Sequence, residues 1–276
     1  MYLESARNPK VQLWASLKTK RGRREHGMFL IEGRRLVEEA LQSDLSIAAF
    51  LWNTGGDEPP ADVLDRVRAR GIPVYELSVQ AFGAVSDTVT PQGCIAVAKM
   101  PAPGDTPAAR PLDLLLDGLQ DPGNVGTLIR TAHALGATGV CCGTGTVDPY
   151  APKVVRASMG GLFHLPVTVA ESVDHIRRWK DLHPQGRVVV AMADAATACD
   201  ELDLRCPLLM VIGSEASGVS AEVARLASDA VRIPMPGGAE SLNAAVSGAI
   251  LLYEAARQRR CSAGPGWRDG SGEGLQ

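Results

Sequence analysis

The chain has 276 residues, 45% of them hydrophobic and 21% charged, with a formal net charge of −3; this balance is ordinary for a soluble globular protein. Apolar runs such as Pro207–Ile212 are far shorter than a membrane span, and the opening Met1–Arg7 has neither the basic start nor the apolar stretch of a secretory signal. The six cysteines (94, 141, 142, 199, 206 and 261) show no CxxC and no metal-ligand spacing, so a reduced, cytoplasmic protein without a bound metal is expected.

Taken in chain order, the first feature is a basic run. Between Arg7 and Arg24 there are seven cations (Arg7, Lys10, Lys18, Lys20, Arg21, Arg23 and Arg24) and no acid, with Trp14 among them. Such a patch can neutralise phosphates whatever the net charge of the chain, and it can equally be a solvated face. Met28–Ile31 reads as a strand, Gly33–Leu41 as a helix through Leu36, Val37, Ala40 and Leu41, Ile47–Trp52 as a strand and Ala61–Ala69 as a helix. Pro73–Tyr75 is extended and Cys94–Ala98 is a last strand. This alternation implies a small α/β domain over residues 1–100 with a parallel or mixed sheet. Three prolines and a glycine between Met100 and Pro107 then mark a linker, placed at 101–111.

A second domain is placed at 112–260. Leu112–Leu116 has the pattern of a buried strand and is followed by a turn at Gln120–Gly123. A helix then runs to Leu135, with Asn124 as a candidate N-cap and Gly136 as its stop. Further strands at Gly139–Cys142, Val188–Ala191, Leu208–Ile212 and Ala230–Ile233 suggest an open parallel sheet. Ser241 is a candidate cap for a final helix, on which Leu242, Ala245, Val246, Ala249, Leu252, Tyr253 and Ala256 form one apolar stripe. Residues 261–276, with five glycines and no periodicity, read as a disordered tail.

Three segments carry the candidate chemistry: Asp121–Thr131, Ile212–Ser220 and Ile233–Asn243. Each follows a predicted strand, and in open α/β sheets ligands bind beyond the carboxyl ends of strands. Together, Asn124-x-Gly126-x-x-x-Arg130-Thr131, Gly213-Ser214-Glu215-x-x-Gly218, and Ile233-Pro234-Met235 with Ser241-Leu242-Asn243 resemble, in order, the three motifs of the SpoU (TrmH) branch of the SPOUT methyltransferases. The resemblance covers about 112–260, while Asn8–Val11 and Phe29–Gly33 are similar to the opening of the substrate-binding domain of the rRNA-modifying members. Ala244-Ala245 and Leu135-Gly136 depart from the pairs common in the family.

The resemblance implies a deep trefoil knot in the C-terminal sheet, preceded by a domain like a small RNA-binding ribosomal protein. It implies S-adenosylmethionine as cofactor, a homodimer, and methylation of a ribose 2′-hydroxyl in structured RNA. It further implies that Gly213, Ile233 and Leu242 line the cofactor pocket largely through backbone, with Ile212 and Met235 beside them. In the family the counterpart of Arg130 activates the hydroxyl; because a guanidinium stays protonated, gripping phosphate and stabilising a developing alkoxide is the alternative. Asn124 is a candidate for orienting Arg130 or for capping its helix, and Glu215 for positioning Arg130 or a turn. Ser241 and Asn243 are candidates for the acceptor ribose or the cofactor carboxylate. The separate N-terminal domain favours 23S rRNA as substrate, with a tRNA enzyme or a catalytically silent ribosome-assembly protein as alternatives. His133 and His164 lack metal spacing, and no dinucleotide or P-loop fingerprint is present.

Overall fold

The computed structural model describes residues 1–56, 58–91, 93–102 and 108–262. The expected linker falls in part on 103–107 and the expected tail on 263–276, which lie outside the described residues. The chain divides into two compact units, one of Met1–Asp105, Gln120–His133 and Val147–Val169, the other of Thr106–Leu119, Ala134–Thr146 and Ala170–Gln276.

The first unit opens with β1 (Tyr2–Leu3), α1 (Pro9–Ser16), α2 (Lys20–His26), β2 (Met28–Glu32) and α3 (Arg34–Gln42). It continues with β3 (Ile47–Asn53), α4 (Ala61–Ala69), β4 (Val74–Leu77), α5 (Val79–Val85) and β5 (Cys94–Lys99). The sheet order is β1-β4-β3-β5-β2, parallel across β1, β4 and β3 and antiparallel from β3 through β5 to β2. The basic run forms α1 and α2 because each has a local start signal. Asn8 accepts the Lys10 N–H with Pro9 at the first position, and Thr19 accepts the Gly22 N–H. Gly27, at φ +61°, ends α2 in the left-handed conformation glycine tolerates best. Val11, Leu17, Leu51, Phe82 and Ile95 are among the fully buried side chains of this core.

Beyond residue 108 the chain runs through β6 (Leu112–Asp117), α6 (Pro122–Ala134), β7 (Gly139–Cys142), α7 (Pro152–Ala157), a 3-10 turn (Gly161–Phe163), β8 (Val167–Val169) and α8 (Ser172–Leu182). It closes with β9 (Arg187–Ala191), β10 (Thr197–Ala198), β11 (Leu208–Gly213), α9 (Ala221–Leu226), β12 (Asp229–Arg232) and α10 (Ala244–Ser262). Most of α6, with α7, the turn and β8, belongs to the first unit.

Six strands of the second unit lie in the order β10-β12-β9-β11-β6-β7, every pair parallel. The central strands β11 and β6 are buried runs, Leu208–Ile212 and Leu114–Leu116, as strands covered on both faces require. Ile176 and Trp179 of α8 and Val223 of α9 close over Leu115, Val188, Val190, Leu209 and Val211. Each such side chain contributes about 1.5–3 kcal/mol on leaving water. A parallel sheet places the carboxyl ends of β6, β9, β11 and β12 along one edge, where the loops of the site begin.

The final helix differs from its predicted form. Asn243, not Ser241, caps it, its Oδ1 accepting the N–H groups of Ala245 (2.9 Å) and Val246 (3.2 Å). The expected single apolar stripe is split: Ala245 and Leu252 are buried with Leu251 and Ala255, while Val246 and Tyr253 face solvent. The helix also takes in the first two residues of the predicted tail. None of the six cysteines is in a disulfide; four are buried, and burial pushes the Cys94 thiol up to about 12.

Candidate active site

The loop after β11 is built around a glycine that nothing else can replace. A Cβ on Gly213 would lie 2.2 Å from both Gly218 C and Val219 N and 2.4 Å from Gly218 O, all backbone. The chain folds back there because Ser214 and Gly218 exchange two backbone hydrogen bonds, of 3.0 and 2.9 Å, with Gly218 at φ +67°. The base of the loop is anchored by Asp117 at the end of β6, which is 4% exposed. Its Oδ2 accepts the Ser220 N–H at 2.9 Å, and its Oδ1 accepts the Ser172 hydroxyl at 2.7 Å. A buried carboxylate needs such donors, and here it draws the start of α9 and the start of α8 to the end of the central strand.

The segment after β12 turns at Gly238 (φ +75°), whose N–H reaches Met235 O at 3.1 Å, before Asn243 starts α10. These two loops, with the end of β9, enclose a cavity of about 390 Å³. Ile212, Gly213, Ile233, Met235 and Leu242, the five residues expected to hold cofactor, all line it. Glu215, Ser241 and Asn243 line it as well. Ala191, Met192, Ala193 and Ser247 also belong to the wall and were not anticipated. The strand-end rule that singled out β11 and β12 applies equally to β9, whose following loop is held by Arg232 donating to the carbonyls of Ala195 (2.9 Å) and Ala196. The cavity suits S-adenosylmethionine: aliphatic side chains such as Ile212, Ile233 and Leu242 would offer a surface to the flat adenine, and Glu215, Ser241 and Asn243 add polar groups for the rest of the molecule. At Gly213 only a residue without a side chain lets the two backbone segments close up. Among the described residues no group of three or more His, Cys, Asp or Glu could hold a metal ion.

Asn124 and Arg130 lie on α6, in the first unit. The cap of α6 is Asp121, whose Oδ1 accepts the Asn124 N–H at 2.8 Å, with Pro122 as the first helical residue. Asn124 is therefore inside the first turn rather than at the cap. Arg130 follows about 9 Å further along the axis and is exposed. Two glycines let α6 sit tightly on its neighbours: a Cβ on Gly126 would meet Ala157 Cβ at 2.4 Å, and one on Gly161 would meet Arg130 Cα at 3.0 Å. Arg130 thus stands on a helix whose position is set by backbone contact.

The basic run separates into structural and exposed cations. Arg23 is 2% exposed; it pairs with Asp148 at 2.6 Å and donates to the carbonyls of Leu17 and Lys18 at 2.9 Å. Lys18 donates to Ala84 O (2.6 Å) and Ser86 O (3.3 Å). Both were expected to face RNA, and both instead hold the first unit together. Trp14 is buried edge-on against Tyr75, and Lys10 lies over the same Tyr75 ring with its ammonium 2.6 Å from the hydroxyl. Arg7, Lys20, Arg21 and Arg24 are exposed. Arg23→Ala should therefore cost about 3–5 kcal/mol of stability, the range for orphaning one partner of a buried pair. Arg21→Ala should cost under about 0.5 kcal/mol, a contrast that urea titration would measure.

Residues 111–253 match the SpoU rRNA Methylase family, and residues 8–96 match the MRM3-like substrate binding domain. The 23S rRNA (guanosine(2553)-2′-O)-methyltransferase RlmP of Bacillus subtilis is 38% identical over 254 residues, covering 91% of this chain and 97% of that protein. The SpoU methyltransferase AviRb of Streptomyces viridochromogenes, solved with AdoMet, superposes with a TM-score of 0.82 at 30% identity over 92% of this chain and 100% of that one. An AdoMet-bound rRNA methyltransferase of Sinorhizobium meliloti gives a TM-score of 0.81 at 31% identity, over 93% and 97% of the two chains.

Proposed function

The chain belongs to the SpoU rRNA methylase family, and from that premise we propose that it methylates a ribose 2′-hydroxyl of ribosomal RNA in the cytoplasm, with S-adenosylmethionine as donor. The observation that carries this reading is the cavity where the second and third motifs meet, shaped by a glycine whose Cβ would collide with backbone. The N-terminal match to a substrate-binding domain, together with relatives named for 23S rRNA, favours ribosomal over transfer RNA. Bound in the cavity, the cofactor supplies an electrophilic methyl on a sulfonium.

The chain's own residues have to hold the acceptor oxygen in line and manage its proton, because an alcohol is a poor nucleophile. Arg130 serves the hydroxyl, either as the group that activates it or as the cation that stabilises the alkoxide as it forms. Glu215, Ser241 and Asn243 serve as polar groups of the cavity wall, Asn243 doing so while capping α10. The second unit is taken to carry the trefoil knot of the family. Val246 and Tyr253, seven residues apart on one face of α10 and 47% and 51% exposed, fit the homodimer contact the family implies. Light scattering should accordingly give about twice the chain mass of 29.1 kDa, and Tyr253→Glu should shift the protein toward monomer; a wild-type monomer at working concentrations contradicts this.

The reaction is tested by mapping 2′-O-methyl groups across ribosomal RNA from cells with and without the protein. One position should lose its methyl group and regain it with purified protein and cofactor; an unchanged methylation map overturns the reading. RNA affinity should in addition fall steeply with salt. Replacing Arg7, Lys20, Arg21 and Arg24 with alanine should flatten that dependence by up to about 0.9 in log–log slope for each phosphate left without its cation. Cofactor affinity should not change. An unaltered slope would make this face merely solvated.

A further inference from the structure

Among the described residues, Met159 is the one side-chain-bearing residue with a left-handed backbone, at φ +47°. It sits in the turn that leaves α7. Ser158 before it is fully buried, with its hydroxyl on Val155 O at 2.8 Å, and Gly160 after it has φ +92°. Packing explains the two glycines that follow. A Cβ on Gly160 would meet Glu39 Cγ at 2.5 Å, and one on Gly161 would meet Arg130 Cα at 3.0 Å and Ile129 O at 3.3 Å. Neither backbone nor burial explains Met159. Glycine would adopt the same conformation without strain, yet the position carries a long apolar side chain that is 49% exposed.

The surroundings point to a flat, apolar ligand. The turn rests on the backbone of Arg130, and its far end brings His164 onto His133, which lies one helical turn after Arg130 on the same face of α6. The two imidazole rings are stacked, with centroids 5.1 Å apart and planes at 16°, and Glu39 holds His164 at 2.8 Å. The exposed Arg130 thus stands one helical turn from the stacked ring pair, and Met159 lies two residues before the glycine that touches the Arg130 backbone.

We propose that Met159 is the platform on which an unstacked nucleobase of the acceptor RNA is seated, next to Arg130, and that the His133–His164 pair extends this platform. The inference rests on the methyltransferase reading and assigns it a recognition element for the base rather than the ribose. A nucleotide stacked in a helix has its ribose fixed by its neighbours; turning that ribose into line means withdrawing its base from the stack, and the base then needs a new surface. A flexible, polarisable side chain can take the face of any base, and a rigid turn needs little additional ordering to present it.

The test compares Met159→Gly with Met159→Leu in the full-length protein, using ribosomal RNA that carries the mapped acceptor nucleotide. Met159→Gly should melt at or above the wild-type temperature, since strain is relieved, and should bind cofactor unchanged. Its KM for RNA should nevertheless rise about tenfold, and Met159→Leu should recover most of that loss. On RNA with an abasic acceptor position, wild type and Met159→Gly should perform alike. A more stable Met159→Gly with wild-type KM overturns the proposal and leaves the strain a local matter of the turn. An undiminished gap on abasic RNA overturns it as well. If the wild type itself transfers no methyl to ribosomal RNA, the parent reading fails and takes this proposal with it, an outcome distinct from the other two.

Discussion

Arg130→Ala should lower single-turnover methyl transfer at least about a hundredfold, the lower range for removing a positioned acid–base or charge-stabilising group, and leave cofactor affinity near wild type. The two halves of this expectation come from different places in the chain. Every residue that lines the cavity belongs to the second unit, whereas Arg130 is an exposed residue of α6 in the first. Removing its side chain leaves the tight backbone packing of α6 on Ala157 and Gly161 untouched, so the fold should persist. Arg130→Lys then separates the two roles the guanidinium can play. Lysine keeps a positive charge but loses the planar fork that grips phosphate and hydroxyl together. Recovery of most of the rate by lysine makes charge stabilisation sufficient; inactivity equal to that of alanine makes the fork geometry essential. Wild-type turnover by both variants places the chemistry elsewhere.

What could be read from the sequence was whatever is encoded locally. The strand β11 announces itself as an unbroken apolar run and β6 as one interrupted only by Asp113, because both of their faces are covered, and the loops after β11 and β12 announce themselves by glycine and proline. Caps were misplaced by two or three residues where several capping side chains crowd together. Asp121 and Asn124 compete for one helix start and Ser241 and Asn243 for another; the winner depends on where the backbone first turns helical, which composition does not record. The charge of the basic run was legible but its division was not, since the partner that buries Arg23 is Asp148, 125 residues away. The short β1 has too few residues to show a period and exists through its pairing with β4. Met192 and Ala193 give no chemical signal at all; they enter the cavity wall because β9 ends beside β11.

Gly213→Ala should abolish measurable cofactor binding, with a loss of at least about a hundredfold, the scale expected when positioning groups move by about an ångström. The added methyl would overlap the Gly218 and Val219 backbone at 2.2 Å, so strand or loop has to yield. The strand is the stiffer of the two. Gly213 is in register with Asp117 of β6, Leu208–Val211 of β11 are paired on both sides, and Asp117 is itself buried and holds the Ser220 N–H. The loop therefore gives way, and with it go the paired hydrogen bonds between Ser214 and Gly218 and the cavity wall formed by Ser214 and Glu215. Gly218→Ala is the control. Its Cβ would meet nothing within 4 Å, so the only cost is the left-handed backbone at φ +67°, about 1–2 kcal/mol. Calorimetric titration should find cofactor binding by Gly218→Ala weakened about tenfold or less, with its melting temperature slightly lowered. It should find none by Gly213→Ala, although circular dichroism shows that protein folded. If Gly213→Ala binds as well as Gly218→Ala, the close approach of the two backbone segments is not what shapes the pocket, and the cofactor lies elsewhere.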